Sequence, residues 1–218
     1  MIRFLFSLIL MSLIFVLPIF SQEQEIGEEE FDLSTRNEFQ IYGGVGLGIY
    51  SLNDNDSKSD KFITATGIYS LGVYYSVSNR FYVGIGYERL GFATNQDSAN
   101  TAFVKNLAIL TKYNAHCTEK SAIHFNLSLG TTRFKYFDQK TSTNINASSI
   151  FIEPGLGYTH FWGQHLGYYL NTSYYFTRYN KLVNKDNQPL KVNNNGFEEQ
   201  FWISLNGAHL KIGLIYKF

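Results

Sequence analysis

The chain alternates apolar with polar or small residues from Phe39 to its end at Phe218. In the first stretch, residues 39–50, most odd positions are apolar, whereas the even positions are Gln, Tyr and Gly. Because successive residues of a strand point to opposite faces, this period of two predicts β-strands with one apolar face each. Eight such faces can be read: Phe39, Ile41, Val45, Leu47 and Ile49; Tyr69, Leu71, Val73, Tyr75 and Val77; Phe81, Val83, Ile85 and Tyr87; Leu107, Ile109, Thr111 and Tyr113; Ile123, Phe125, Leu127 and Leu129; Ile150, Ile152, Leu156 and Tyr158; Leu166, Tyr168, Leu170, Tyr174 and Phe176; Leu210, Ile212, Leu214, Tyr216 and Phe218.

The connections between these strands alternate in length. Short ones are expected at 78–79, 114–120 and 162–164, and long polar ones at 51–61, 91–101, 136–148 and 180–198. None of the apolar faces carries a charge, which would cost about 2–4 kcal/mol at mid-depth in a lipid bilayer. The pattern predicts an all-β fold, an eight-stranded antiparallel up-and-down transmembrane β-barrel. A soluble β-sandwich is the alternative, but its exposed face would carry more charge.

Aromatic residues support the barrel, since Tyr and Phe number 16 and 19. Transmembrane barrels carry girdles of aromatic side chains where lipid meets water. Eight aromatic residues fall at strand ends beside the short connections or the chain ends: Phe39, Tyr75, Phe81, Tyr113, Trp162, Tyr168, Tyr216 and Phe218.

The N-terminal segment has a different composition. Residues 1–3 include Arg3, residues 4–20 are uncharged and largely apolar, and Ser21 precedes a polar chain, which predicts a cleaved signal peptide over 1–21. A retained membrane helix is the alternative. Residues 22–38 are rich in Glu and predict a solvated acidic tail that acts as a linker on the periplasmic side, so the barrel domain is 39–218.

The closing segment Leu210–Phe218 carries a family resemblance. Its alternating apolar residues, Tyr216 and terminal Phe218 resemble the C-terminal strand of bacterial outer-membrane β-barrels, and residues 39–218 resemble the small OmpA/OmpX-type barrel domain. The resemblance implies a location in the bacterial outer membrane and recognition of Tyr216 and Phe218 by the barrel-assembly machinery. It implies little about activity, because these barrels include anchors, adhesins and enzymes.

The parity of the last strand changes near Asn206–Gly207. Phe201, Ile203 and Leu205 lie on the opposite register from the apolar residues that follow Leu210. We expect a β-bulge at this point, with a hairpin turn as the alternative.

Composition excludes several kinds of partner and site. Lys+Arg and Asp+Glu both number 18, so no net charge indicates nucleic acid. The one cysteine, Cys117, permits neither an internal disulfide nor a Cys-based zinc site. Residues His116–Glu119 form a short group of potential metal ligands in an expected turn, and we interpret them as solvated. No cofactor is expected.

The charged residues on inward registers are Glu88, Glu153, Lys211, Lys112 and His124. Counted from the short connections, the first three lie at similar heights, and the last two lie lower. Buried charges must be paired, so we expect Lys211 to offset one or both carboxylates in a polar plug. A catalytic or proton-responsive pair formed by Glu88 and Glu153 is the alternative.

The residues give little support for an enzymatic function. A lipid A-modifying barrel would need a Ser–His constellation near the outer rim, but the one close pair on a single face, His124 and Ser128, points into the lower and middle lumen. No catalytic, cofactor or metal residue is therefore assigned. The expected function is non-enzymatic: a monomer that contacts outer-membrane lipid and binds a ligand or host through loops 51–61, 91–101, 136–148 and 180–198. A lipid A-modifying enzyme and a narrow solute channel are the alternatives.

Overall fold

The computed structural model describes residues 38–56, 62–92, 100–138, 142–194 and 196–218. The predicted signal peptide, 1–21, and residues 22–37 of the predicted tail lie outside the described residues. Within the described ranges, no helix is both long enough and apolar enough to cross a membrane.

The chain forms a closed antiparallel barrel of eight strands, which confirms the predicted fold class. Strands that are neighbours in sequence pair along the barrel, and the first barrel strand, Phe39–Asp54, pairs with the last, Ile203–Lys217, to close it. The barrel strands are β1 (Phe39–Asp54), β2 (Phe62–Ser76), β3 (Phe81–Phe92), β4 (Asn100–Cys117), β5 (Ser121–Asp138), β6 (Thr143–Phe161), β7 (Leu166–Tyr179) and β11 (Ile203–Lys217). Three short strands, β8 (Leu182–Val183), β9 (Lys191–Asn194) and β10 (Phe197–Gln200), lie between β7 and β11.

The faces of the strands follow the predicted parity. The apolar sets point outward, where Leu47 and Ile109 are 71% and 64% exposed. Glycine, tyrosine and polar residues alternate with them and point inward. A barrel therefore turns its most apolar surface away from its own core, which is the reverse of a soluble protein.

Two ends of the barrel can be distinguished. The turn end holds the connections 77–80, 118–120 and 162–165 and both ends of the barrel chain. The second predicted short connection was too long, because Asn114–Cys117 continues β4 past a register shift between Asn114 and His116. His116 and Cys117 therefore end a strand, and they are not turn residues as predicted.

The loop end holds the remaining connections. The predicted loop 136–148 is wrong in extent, because β5 and β6 stay paired up to Asp138↔Thr143. Cross-strand pairing continues through polar residues such as Asn144 and Asn146, which the alternation of hydrophobicity could not reveal.

Strand β11 contains neither the expected β-bulge nor the alternative hairpin turn at Asn206–Gly207. Its pairing with β1 runs without a shift from Asp54↔Ile203 to Gln40↔Lys217. Leu205, His209 and Lys211 share the inward face and are all buried. The change of parity in the sequence arises because the inner face itself becomes apolar near the loop end.

The core is an apolar layer across the lumen at the loop end. All eight barrel strands contribute, with Ile68 the member from β2. Leu182 of β8 folds back onto the layer through the pairing of β8 with β6. The layer includes Tyr50, Leu90, Val104, Phe134, Phe151, Tyr175, Tyr179, Leu182 and Leu205.

Candidate functional site: the lumen and the two ends of the barrel

A charged cluster lies directly below the apolar layer. Lys211 Nζ donates hydrogen bonds to Glu153 Oε1 at 2.7 Å and to Glu88 Oε1. Three strands thus meet on one ammonium group: β3, β6 and β11. The structure brings together the three residues that were predicted from the sequence to lie at similar heights. Their burial makes the pairing necessary, since an unpaired buried charge would be costly.

His209 extends the cluster and was not singled out from the sequence. Its Nδ1 donates to Glu153 Oε1 at 2.8 Å, and its Nε2 is hydrogen-bonded to the hydroxyl of Tyr50. Ser173 Oγ donates to the same carboxylate oxygen at 2.5 Å. The sequence does contain an indication of this position, because His209 lies two residues before Lys211 and must therefore share its face of the strand.

The cluster contains a set of potential metal ligands. One ligand atom each from Glu88, Glu153 and His209 lies within 4.8 Å of the others. Lys211 already donates to both carboxylates from between them, so its ammonium supplies the positive charge that a metal ion would bring. The arrangement is therefore a salt-bridge cluster that ties three strands together.

Lys112 and His124 do not join this cluster. Lys112 Nζ donates to Gln40 Oε1 at 2.5 Å and lies 4.2 Å from the ring centroid of Tyr82, nearer the turn end. His124 is buried on β5 and lines the same cavity as Lys211. Of the five predicted lumen charges, three share one site and two lie below it.

The lower lumen is polar enough to hold water. Its cavity is lined by Glu88, Asn126 and Asn171, each with a buried polar atom that has no protein partner among the described residues. Such atoms are satisfied by ordered water in folded proteins. A second cavity shares Lys112 with the first and reaches Asn79 at the turn end. The lumen is thus a polar well below an apolar lid.

Glu38 closes the mouth of this well. It was assigned to the solvated tail, but it is buried, accepts a hydrogen bond from Gln40, and lies 3.7 Å from Lys217 Nζ through Oε2. Its position one residue before β1 explains the difference, because the strand carries it into the barrel.

A Ser–His contact exists that the sequence did not indicate. Ser121 Oγ lies 2.8 Å from His160 Nδ1 and 3.1 Å from the hydroxyl of Tyr158. Ser121 and His160 are cross-strand partners at the turn end, 39 residues apart in the chain. The predicted pair, His124 and Ser128, lines the inner cavity instead.

The aromatic residues of the turn end form contacts across the closing seam. The Phe218 ring lies 4.8 Å from that of Tyr216 and 5.8 Å from that of Phe39, and its amide donates to the Phe39 carbonyl. Phe218 is 65% exposed, so most of its surface remains available to another molecule.

The loop end carries an external hairpin formed by β9 and β10. Lys191 Nζ lies 2.8 Å from Glu198 Oε2, and this hydrogen bond holds the pKa of the Glu198 carboxyl below its ordinary value. Phe197 begins β10 and is 75% exposed. The ring of Phe197 is therefore open to contact from outside the barrel.

No protein-family model matches the chain. No curated protein matches it in sequence. Solved structures with the same fold include the Neisserial surface protein A, at 11% identity and a TM-score of 0.52 over 83% of this chain and 97% of that one. The outer membrane protein OprG from Pseudomonas aeruginosa matches at 15% identity and a TM-score of 0.50 over 84% of this chain and 96% of that one. These likenesses support the barrel fold and leave the activity open.

Proposed function

We propose that the protein is an integral barrel of the bacterial outer membrane that acts without catalysis, as a surface-interaction protein, through its loop end. The apolar outward faces support the membrane location, because residues such as Leu47 and Ile109 would be unfavourable in water. Aromatic side chains at the turn end fit the inner interface of such a barrel. The turn end then faces the periplasm and the loop end faces outside.

The observation that carries the interaction role is the external hairpin with Phe197 exposed at its start. It stands on a barrel whose loop end is closed by the apolar layer, so the loop end offers a surface on a rigid support. Aromatic residues on such supports are frequent anchors of binding surfaces.

The described residues offer no observation that favours either alternative. A solute channel would need a continuous polar path, but the apolar layer that includes Tyr175, Leu182 and Leu205 crosses the lumen. A lipid A-modifying enzyme would need its nucleophile and base near the outer leaflet, whereas the Ser121–His160 contact lies at the turn end.

Topology can be tested with epitope insertions on intact cells. A tag inserted after Gly196 should be reached by antibody from outside, whereas a tag inserted after Asn79 should be reached only after the outer membrane is permeabilised. Accessibility of both tags, or of neither, would contradict the proposed orientation.

The interaction role can be tested with Phe197→Ser. Cells that display the wild type should adhere to at least one member of a panel of immobilised glycans and matrix proteins, and the variant should lose most of that adherence. Exposed Phe137 at the tip of β5 offers the matched control Phe137→Ser. A changed acyl pattern of lipid A in cells with the protein, seen by mass spectrometry, would favour the enzyme instead.

A further inference from the structure

A row of cations crosses three adjacent strands on the outward face of the barrel. Arg89 of β3 is paired in register with Lys105 of β4, and Lys105 is paired with Arg133 of β5. All three side chains are exposed. We call these three residues the cationic ledge.

The ledge lies at the upper edge of the apolar band. Its members stand eight residues along their strands from Phe81 and Tyr113 of the turn-end girdle and from Phe125, which pairs with Tyr113. At about 3.3 Å per residue and a strand tilt of about 40°, this places the ledge roughly 20 Å above that girdle, close to the height of the apolar band of a barrel.

Like charges in directly opposed cross-strand positions destabilise a sheet, because their Cβ atoms lie only about 5 Å apart. Among the described residues, no carboxylate forms an ion pair with any ledge residue. The described outward faces of the barrel strands carry further cations at Lys135 and Arg178 and no carboxylate. An anion that binds from outside would relieve the repulsion within the row.

Phe103 holds part of the ledge in place. The Arg89 guanidinium carbon lies 5.2 Å and Lys105 Nζ lies 5.6 Å from the centroid of its ring. Immediately below, Leu107 and Ile109 are exposed and offer a surface for acyl chains. Two guanidinium groups and an ammonium above an apolar wall match a phosphate ester attached to hydrocarbon.

We propose that the cationic ledge binds the phosphate groups of a phosphorylated lipid in the outer leaflet, whose acyl chains lie against Leu107 and Ile109. This inference rests on the proposed membrane location. The ledge lies on one side of the barrel. Its in-register row continues through Tyr69 on β2 and Val45 on β1, and neither of these residues is charged. The lipid would therefore bind at one defined site.

The test is a titration of the folded full chain in neutral detergent with diphosphoryl lipid A, followed by native mass spectrometry. Each cation near an anionic lipid surface strengthens binding by about fivefold, so Arg89→Gln/Lys105→Gln/Arg133→Gln should weaken binding on the order of a hundredfold. Arg89→Lys/Arg133→Lys should retain most of it. Arg178→Gln is the matched control, an outward cation stacked on Trp202 of the opposite wall, and should bind like the wild type.

Equal binding by the wild type and the triple glutamine variant would overturn the ledge. Equal binding of dephosphorylated lipid A would also overturn the ledge. Displacement of the bound lipid by inorganic phosphate at the same concentration as the lipid would identify a general anion site instead of a lipid site. Heat-modifiable migration on a gel checks that each variant is folded, and single Lys105→Gln replaces the triple variant if that one fails. Failure of the wild type to insert into phosphatidylcholine vesicles would defeat the membrane location and the ledge with it, whereas normal insertion without a phosphate preference would defeat the ledge alone.

Discussion

At the scale of single residues, Lys211 has the largest structural role in the lumen. Its ammonium binds carboxylates from two other strands in a region that is fully enclosed by the barrel wall. Removing one partner of a buried ion pair leaves the other charge without compensation, which costs more than the pair itself contributes.

We predict that Lys211→Met lowers the free energy of unfolding by about 3–5 kcal/mol. The reason is that Glu88 and Glu153 lose their shared counter-charge. Reversible urea unfolding in liposomes, followed by tryptophan fluorescence, measures the change.

Lys112→Met is the matched control, because Lys112 is also buried but hydrogen-bonds the neutral amide of Gln40. Loss of that bond should cost about 1–3 kcal/mol. Equal costs for the two variants would contradict the assigned role of Lys211.

The sequence predicted the two carboxylates that pair with Lys211, but it did not predict the other residues around them. Strand parity and height brought Glu88, Glu153 and Lys211 together because a barrel repeats one geometry on every strand. His209 was not predicted, because a bulge at Asn206–Gly207 would leave the inward or outward direction of the next residues undetermined, whereas the register is unbroken. Ser121 and His160 were missed because they are 39 residues apart and meet only through the exact pairing of β5 and β6.

At the scale of elements, the seam between β1 and β11 is the joint that closes the barrel. Gly44 and Gly213 face each other across it, and the Tyr169 ring of β7 lies over both. The Tyr169 hydroxyl reaches Ser70 of β2 at 3.2 Å, so one side chain spans the seam from inside.

We predict that Gly213→Ala destabilises the barrel by about 1–3 kcal/mol. A Cβ atom at Gly213 would overlap the Gly43 carbonyl oxygen and lie 2.6 Å from Gly44 Cα and 2.7 Å from Tyr169 Cε1, so the seam must open and the tyrosine must move. Urea unfolding measures the cost.

Gly67→Ala is the control, because a Cβ atom at Gly67 meets nothing within 4 Å, and this variant should be neutral or slightly stabilising. A similar loss of stability in both variants would show that the seam is not more tightly packed than the rest of the barrel.

The C-terminal strand yields a prediction about assembly. If Phe218 is part of the signal read by the barrel-assembly machinery, its deletion should slow insertion and leave unfolded chain in the periplasm. Phe81→Ala removes another exposed girdle aromatic and should cost only about 1–2 kcal/mol of packing while insertion stays normal. Pulse–chase fractionation with protease protection separates the outcomes, and a normal insertion rate without Phe218 would remove the assembly role.

Element boundaries followed the hydrophobic pattern only where lipid-facing residues are apolar. Strands β5 and β6 continue beyond the band through Asn144 and Asn146, where the outward face no longer needs to be apolar. The pattern therefore ended before the strand did. Strand β11 shows the converse, because apolar Leu205 faces inward above the band and reversed the apparent parity without changing the backbone.

At the scale of the whole molecule, the barrel is layered along its axis. The described residues form a polar mouth around Glu38 and Gln40, a charged middle centred on Lys211, and an apolar lid at the loop end. Sequence parity predicted the polar interior, and the alternation of short and long connections with uncharged outward faces predicted the closed barrel. The lid was not predicted, because it requires knowing which inward residues of different strands share one height.

This layering predicts that the wild-type barrel does not conduct. The polar lower lumen admits water, but ions would have to cross a layer of apolar side chains that offers no replacement for their hydration. Planar-bilayer recordings should show no stable current. Tyr50→Ala/Tyr175→Ala removes two fully buried rings from the layer and should produce a small ion leak. Tyr42→Ala/Tyr74→Ala instead widens the polar well below an intact lid and should remain silent. A steady wild-type current, or a leak through the second variant alone, would contradict closure by the apolar lid.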